Sequence, residues 1–219
     1  RLALAALRRL TFPDEPEAKA EADDPFLGKS FGRYRVKGLL GIGGWGNVYL
    51  AESEEGQFAL KILRLELGQS TEHLDRFLTE ARITASLEHG VIRRTVDIGR
   101  HHGQHYMAME YVDGLSLHAL VVKNGPFAPA LSVQIASRLA DALQFATRHG
   151  IVHRDIKPRN VLVARAGDVK LTDFGLARML LDGSGMTGTG AVVGTPEFMS
   201  PEQFDGARVD RRSDIYALG

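Results

Sequence analysis

Two kinds of hydrophobic spacing divide the chain into a strand-rich first part and a helical second part. Residues 33–63 and 92–112 alternate between apolar and polar positions and are punctuated by glycines, which predicts strands and hairpins. Residues 71–87 and 129–148 instead carry apolar side chains three or four positions apart, which predicts two helices. Strands with one helix, followed by a helical part, predict an α+β molecule with two lobes and a cleft between them.

The N-terminal residues have a different composition from the rest of the chain. Residues 1–12 place leucines at positions 4, 7 and 10, and we interpret them as a loose terminal helix, with a docking helix as the alternative. Residues 13–25 contain six acidic residues, one lysine and three prolines, which is typical of a linker. We therefore expect a terminal helix and acidic linker over 1–30, a small lobe with a hinge over 31–112, and an incomplete large lobe over 113–219.

The composition narrows the class of function. Hydrophobic residues make up 44% of the 219 residues, so the chain can bury a core. Lys plus Arg and Asp plus Glu each number 27, and this balance argues against a nucleic-acid or membrane-surface binder, which needs a basic excess. The absence of cysteine excludes disulfides and favours a cytoplasmic setting. No apolar run reaches the roughly 20 residues of a membrane span, although the parent protein could be membrane-anchored.

A glycine-rich turn lies between two predicted strands, in the segment LGIGGWGNV over residues 40–48. Glycine lets backbone N–H groups approach a phosphate because no Cβ stands in the way, so this turn is a candidate phosphate cradle. A turn that binds no ligand is the alternative. A dinucleotide-binding fold is disfavoured because it needs a helix directly after the glycines, whereas a strand follows here.

A lysine within an apolar strand is the second candidate. Lys61 stands in FALKIL, where an ammonium group is costly to bury unless a carboxylate pairs with it. Glu80, on the following predicted helix, is the candidate partner. The alternative is that Lys61 lies at a strand edge and extends its ammonium group to solvent.

The most informative segment is IVHRDIKPRNVLVARAGDVKLTDFG, over residues 151–175. Pro158 prevents a regular helix in its first half. Acidic, basic and amide groups crowded between apolar strands must serve a polar ligand or one another. A magnesium-bound triphosphate fits, because Mg²⁺ prefers the hard oxygens that Asn160 and Asp173 offer. The polar residues of the short loop are His153, Arg154, Asp155, Lys157 and Asn160.

In combination, these motifs resemble the protein-kinase signature. G-x-G-x-x-G-x-V, A-x-K, H-R-D-x-K-x-x-N and D-F-G occur in that order between about Tyr34 and Gly219. The sequences HRDIKPRN, with Lys157, and GTPEFMSPE, with Thr195, resemble those of serine/threonine kinases. The segment SPEQ most resembles bacterial kinases of the eukaryotic-like (Hanks) type. The resemblance implies the two-lobed protein-kinase fold, with a β-rich small lobe and a mainly helical, truncated large lobe.

The resemblance also implies ATP and Mg²⁺ as cofactors and a role for each motif residue. Lys61 would hold the α- and β-phosphates and pair with Glu80. Asp155 would accept or orient the proton of the attacking hydroxyl, Lys157 would face the transferred phosphate, and Thr195 would bond the catalytic aspartate. The magnesium ions would be held by Asn160 and Asp173.

The remaining nucleotide-binding candidates follow from the same resemblance. Met109 would be the gatekeeper at the back of the adenine pocket, and Glu110 to Val112 would form the hinge whose backbone binds adenine. The full set, besides Lys61, is Leu40, Gly41, Ile42, Gly43, Gly44, Trp45, Gly46, Val48, Ala59, Met109, Glu110, Val112 and Leu162.

The glycine-rich segment after D-F-G contains two candidate regulatory residues, Thr187 and Thr189. Arg154 would give a phosphate on either threonine a charged partner, so we hypothesise autophosphorylation there, with a merely flexible loop as the alternative. The implied activity is phosphorylation of serine or threonine hydroxyls on protein substrates, with self-association as a route to phosphorylation between copies. An ATP-binding pseudokinase scaffold is the alternative function.

Two threonines depart from the family pattern. The family stacks four apolar side chains when active, and by motif spacing these positions hold Thr84, Thr95, His153 and Phe174. The two hydroxyls could hydrogen-bond to each other across a helix–strand contact, but they bury less apolar surface, which predicts a loosely held first helix. In the alternative register, Ile83 takes the place of Thr84.

Overall fold

The structure, a computed structural model, describes residues 7, 10–12, 24–44, 46–64, 71–174 and 196–219. The chain forms two compact units. The strand unit contains residues 13–88 and 93–113, and the helical unit contains residues 1–12, 89–92 and 114–219. Four of the predicted site residues lie outside the described residues, namely Trp45, Thr187, Thr189 and Thr195.

The strand unit contains a six-stranded antiparallel sheet and one long helix. The strands are β1 (Ser30–Phe31), β2 (Tyr34–Ile42), β3 (Gly46–Ser53), β4 (Gly56–Leu63), β5 (Thr95–His101) and β6 (Gln104–Glu110). Their order across the sheet is β1-β2-β3-β4-β6-β5. Helix α1 (Thr71–Ser86) confirms the helix that the three-four spacing predicts.

Two apolar clusters stabilise this unit. Aromatic side chains dominate the first, in which Phe31, Tyr34, Tyr49 and Tyr106 are all buried. The second cluster joins Phe77 and Ala81 of α1 to the sheet. Its sheet residues are Ala59, Leu63, Met107 and Met109. Helix α1 is therefore held through one apolar face, which fixes where its polar side chains reach the sheet.

The helical unit is built on a short three-stranded sheet and several helices. It contains β7 (Gly114–Ser116), α2 (Leu117–Asn124), α3 (Pro129–Arg148), β8 (Val161–Ala164), β9 (Val169–Leu171), α4 (Pro201–Phe204) and α5 (Arg211–Leu218). The strands pair antiparallel in the order β7-β8-β9. Helix α3 has the bounds that its sequence pattern predicts, with proline in its first turn, where no N–H partner is needed.

The described N-terminal residues pack on the helical unit. The Leu7 side chain is buried, and the Thr11 N–H donates to Oδ1 of Asn124 at 3.0 Å. The guanidinium of Arg165 lies 5.3 Å from the ring centre of Phe12. The described residues of this segment therefore make contacts within the helical unit. Among the described helices, none combines the length and the apolar character that a membrane crossing requires.

Candidate active site

In the strand unit, a buried ion pair joins the sheet to helix α1. The Nζ of Lys61 lies 3.2 Å from Oε1 and 3.3 Å from Oε2 of Glu80. Lys61 is 5% exposed and Glu80 is 2% exposed, so neither charge is compensated by bulk water. The ion pair therefore excludes the alternative in which Lys61 extends its ammonium group from a strand edge to solvent.

The glycine-rich turn combines a structural glycine with two open positions. A Cβ on Gly46 would lie 2.2 Å from the carbonyl oxygen of Ile62, so close pairing of β3 with β4 requires glycine there. At Gly41 and Gly44, a Cβ would have no described neighbour within 4 Å. Packing therefore does not explain these two glycines, whereas the approach of a ligand to the backbone would. The Gly43 N–H donates to the Gly46 carbonyl at 3.1 Å and closes the turn.

Four predicted nucleotide-binding side chains share one apolar cluster. Ala59 and Met109 are buried and stand opposite each other in the pairing of β4 with β6. Leu40 and Val48 are partly buried and pack against the same cluster. The strand unit thus brings these four residues together, whereas Ile42, at the end of β2, is 68% exposed.

In the predicted hinge, the backbone of Glu110 is hydrogen-bonded, whereas the N–H of Val112 has no partner among the described residues. The Glu110 N–H donates to the Arg94 carbonyl, and the Glu110 carbonyl accepts from Nε of Arg93, both at 2.9 Å. Within the described part of the chain, the N–H of Val112 makes no hydrogen bond. A ligand could therefore pair with Val112 without displacing a protein partner.

The two threonines that depart from the family pattern contact each other. Their Oγ1 atoms lie 2.6 Å apart, and both side chains are buried. Ile83 is only partly buried, so Thr84 is the residue of α1 that faces Thr95. The hydrogen bond expected across the helix–strand contact is present.

In the helical unit, two polar side chains converge on the Asp155 carboxylate. Oδ2 of Asp155 lies 2.8 Å from Nζ of Lys157 and accepts a 2.8 Å hydrogen bond from Nδ2 of Asn160. The same Asn160 amide donates to the Asp155 carbonyl at 2.7 Å. Oδ1 of Asp155 accepts no hydrogen bond from the described residues, so this oxygen can receive a proton from a substrate.

The fixed amide of Asn160 suits the predicted cation site. Both donor contacts of its Nδ2 go to Asp155, which directs Oδ1 away from that residue. An amide oxygen in this state is a hard ligand of the kind that Mg²⁺ prefers. Asp173 follows β9 and adopts a left-handed backbone with φ of 60°, a strain that the surrounding structure must hold.

The buried side chain of His153 holds the loop that carries Asp155 through hydrogen bonds to the backbone. Its Nδ1 accepts the N–H of Asp155 at 3.2 Å, so its Nε2 carries the proton and donates to the Thr172 carbonyl at 3.0 Å. Its ring centre lies 4.5 Å from that of Phe174, and both side chains are buried. The ring therefore links the segments that carry Asp155 and Asp173.

Asp214 fixes the loop backbone through both oxygens of its carboxylate. Its Oδ2 accepts the His153 N–H at 2.8 Å and its Oδ1 accepts the Arg154 N–H at 2.7 Å. Nε2 of Gln203 donates to the Arg154 carbonyl at 2.7 Å. Arg154 has φ of 67°, and these bonds on both sides hold it in that conformation. Burial raises the pKa of Asp214, while its two backbone donors act in the opposite direction.

The last predicted nucleotide-binding residue, Leu162, lies in the helical unit. It is partly buried on β8, opposite Ser116 of β7 and Lys170 of β9. The predicted site residues therefore fall into two described groups, one in each unit. Each group is internally ordered by its own hydrogen bonds.

Comparisons with known proteins agree on one family. The family described as "Protein kinase domain" matches residues 34–219. The chain is 41% identical over 194 residues to serine/threonine-protein kinase PknB of Mycolicibacterium smegmatis, covering 85% of this chain and 31% of that protein. It is 40% identical over 190 residues to serine/threonine-protein kinase PrkC of Bacillus subtilis, covering 86% and 29%.

A solved structure supports the same assignment. The PknI kinase domain of Mycobacterium tuberculosis superposes with a TM-score of 0.70 at 32% identity, covering 87% of this chain and 71% of that chain. The chain belongs to the protein kinase family, as its motifs indicate, and has the family's α+β fold. It spans 31% and 29% of the length of the two curated relatives.

Proposed function

We propose that this chain transfers the γ-phosphoryl group of ATP to serine or threonine hydroxyls of proteins. The observation that carries the proposal is the arrangement at Asp155, where Lys157 and Asn160 occupy Oδ2 and no described residue donates to Oδ1. A carboxylate held in this way can orient a hydroxyl and accept its proton. Relatives at about 40% identity carry the name serine/threonine-protein kinase, which supports the same activity.

In this reaction, the described side chains would accept a proton, supply positive charge and hold the cations. Asp155 accepts the substrate proton on Oδ1, and Lys157 offers positive charge beside Oδ2 of the same carboxylate. Magnesium-bound ATP, when present, supplies the phosphoryl group and the cations that offset its charge. Asn160 and Asp173 are the residues that would hold the cations through oxygen ligands.

The strand unit supplies the residues for nucleotide binding. Lys61, oriented by Glu80, would contact the α- and β-phosphates, and the open backbone at Gly41 and Gly44 would approach the phosphates. The Val112 N–H would bind adenine. Met109, Ala59, Leu40 and Val48 would supply apolar surface for the base.

Phosphate transfer onto the protein itself forms the second part of the proposal. Arg154 follows His153 in the catalytic loop, and a phosphothreonine at 187 or 189 would gain a charge-assisted hydrogen bond from a guanidinium. Self-association would allow one copy to modify another. Mass spectrometry after incubation with Mg-ATP should find phosphate on Thr187, Thr189 or both; phosphate on neither would contradict this part.

The test of the main activity is transfer of ³²P from Mg-ATP. The full-length protein is incubated alone and with a generic basic protein, beside an Asp155→Asn variant. Label on both proteins with the wild type, and none with the variant, supports a kinase that uses Asp155. Absence of label with the wild type, while ATP still binds, would instead favour the pseudokinase scaffold.

A further inference from the structure

Two buried hydroxyls connect the ion pair of the strand unit to its sheet. Thr84 lies one helical turn after Glu80 on α1, and Thr95 is the first residue of β5. Their Oγ1 atoms are 2.6 Å apart, and each residue is 6% exposed. Oγ1 of Thr84 also lies 2.9 Å from the Glu80 carbonyl oxygen and 3.2 Å from that of Ala81.

The number of available protons determines which hydroxyl donates in the Thr84–Thr95 hydrogen bond. Each hydroxyl can donate one proton, whereas a backbone carbonyl oxygen can only accept. Thr84 therefore donates to the carbonyls behind it on α1, and Thr95 donates to Thr84. The Sδ of Met107, 3.5 Å from Oγ1 of Thr95, is a weak acceptor and cannot compete with an oxygen at 2.6 Å. The result is a hydrogen-bond chain from the sheet to the main chain of Glu80.

Both ends of this chain lie beside the ion pair. At the helix end, the accepting carbonyl belongs to Glu80, whose side chain contacts Lys61. At the sheet end, Thr95 contacts Met107, which stands directly opposite Lys61 in the pairing of β4 with β6. A shift of α1 along the sheet would stretch the Thr84–Thr95 hydrogen bond and the Lys61–Glu80 contact together.

We propose that Thr84 and Thr95 are positioning residues that form a hydroxyl latch, which fixes α1 where Glu80 reaches Lys61. An apolar contact tolerates sliding, but a 2.6 Å hydrogen bond between buried atoms has one preferred geometry. Since a buried hydroxyl that loses its partner is costly, the two threonines are coupled. The consequence for phosphoryl transfer rests on the proposed function, whereas the coupling itself does not.

The latch is tested with nearly isosteric variants of the full-length protein. Thr84→Val leaves the Thr95 hydroxyl with only the weak Met107 acceptor and should lower kcat/KM for ATP by about tenfold. Thr95→Val removes the donor to Thr84 but leaves the Thr84 hydroxyl on the Glu80 carbonyl, so it should lower kcat/KM by a smaller factor. The double variant replaces both hydroxyls with methyl groups and should return to within about threefold of wild type, which is the signature of coupling. Thr84→Ser keeps the oxygen and should behave as wild type.

Ser86 provides a matched control on the same helix. Its Oγ donates to the Ile83 carbonyl at 2.8 Å, as Thr84 does to Glu80, but Ser86 is exposed. Ser86→Ala should therefore leave kcat/KM unchanged. A loss in this variant equal to that of Thr84→Val would show that any lost back-bond on α1 has the same effect, and it would overturn the latch.

A second measurement separates the latch from the proposed function. The dissociation constant of a fluorescent ADP analogue and the thermal midpoint are measured for all variants. Single variants that bind and turn over like wild type, or a double variant with the sum of both losses, overturn the latch. If wild type transfers no phosphate but binding and midpoint show the coupling, the latch holds and the kinase proposal fails. If Thr84→Val does not fold, a folded double variant supports the latch and an unfolded one contradicts it.

Discussion

Each unit contains a lysine–carboxylate pair, and the two pairs differ in their access to water. The side chains of Lys61 and Glu80 in the strand unit are 6% and 2% exposed, whereas those of Lys157 and Asp155 in the helical unit are 17% and 27% exposed. Charges buried this deeply must be compensated within the protein, so the contact between Lys61 and Glu80 constrains both side chains. An accessible pair can exchange partners with a substrate, as proton transfer requires. Burial thus distinguishes the pair proposed to hold its position from the pair proposed to take part in the reaction.

The comparison of the two pairs predicts its largest effect at Asp155, the more accessible carboxylate. Asp155→Asn removes the proton acceptor but keeps the size of the side chain, so kcat should fall by roughly 10²- to 10⁴-fold. Because water reaches Lys157, the unpaired ammonium is hydrated, and the thermal midpoint should change little. Kinetics with Mg-ATP and a calorimetric scan measure the two effects. A variant that keeps its activity would remove Asp155 from the reaction.

At the buried pair, Lys61 and Glu80, we expect a substitution to lower stability, which the Asp155 variant should leave nearly unchanged. Glu80→Gln removes a carboxylate charge from a buried contact with the Lys61 ammonium, and the free energy of unfolding should fall by about 3 kcal/mol. Urea denaturation of the domain measures the change. If the loss of stability were no larger than for Asp155→Asn, burial would not distinguish the two pairs.

A third carboxylate, Asp214, is buried like Glu80 but binds backbone N–H groups in place of a lysine. Burial raises its pKa above the usual 3.8, so the folded state binds the proton more tightly than the unfolded state. The contribution of this titration to stability is therefore complete below pH 3.8 and is lost as the pH rises through the folded-state pKa.

Comparison with Asp214→Asn isolates this dependence. The variant does not titrate and places an NH₂ group against one of two N–H donors, which should cost about 1–3 kcal/mol. The stability of wild type minus that of the variant should decrease from pH 3.5 toward neutral pH, a range spanning roughly the pKa values of carboxyl groups. Urea denaturation at several pH values measures it. A difference that grows with pH would contradict the raised pKa.

The sequence predicted the elements and side chains whose signals are local. The bounds of α3 and nearly those of α1 follow from three-four spacing, and the pairing of Lys61 with Glu80 follows from the cost of an ammonium group in an apolar strand. The resemblance marks Asp214 as an anchoring acid, but spacing does not indicate which amides it meets, because these lie 61 and 60 residues away. No local pattern encodes which distant amide a carboxylate will meet.

Two further features lay beyond sequence reasoning for other reasons. The engaged backbone of Glu110 depends on Arg93, whose side chain turns back onto the strand end only in the folded unit. The sequence does not predict the contacts of Leu7 and Thr11, because a short amphipathic segment has the same spacing whether it is loose or packed. In both cases the missing information is the tertiary partner.

The smallest expected effect concerns a third lysine–carboxylate pair, Lys37 with Glu52, on β2 and β3. Its Nζ and Oε2 lie 2.6 Å apart, closer than in the Lys61–Glu80 pair, but the side chains are 42% and 44% exposed. The hydrogen bond from Lys37 lowers the pKa of Glu52, so its stabilising effect is present above the usual pKa of 4.5 and is lost as the pH falls through the lowered value. Solvent and salt screen this contact, and Glu52→Gln should leave the urea midpoint at neutral pH and 0.15 M salt, a Debye length of about 8 Å, within error of wild type. A loss comparable to that of Glu80→Gln would mean that distance, and not burial, sets the strength of these pairs.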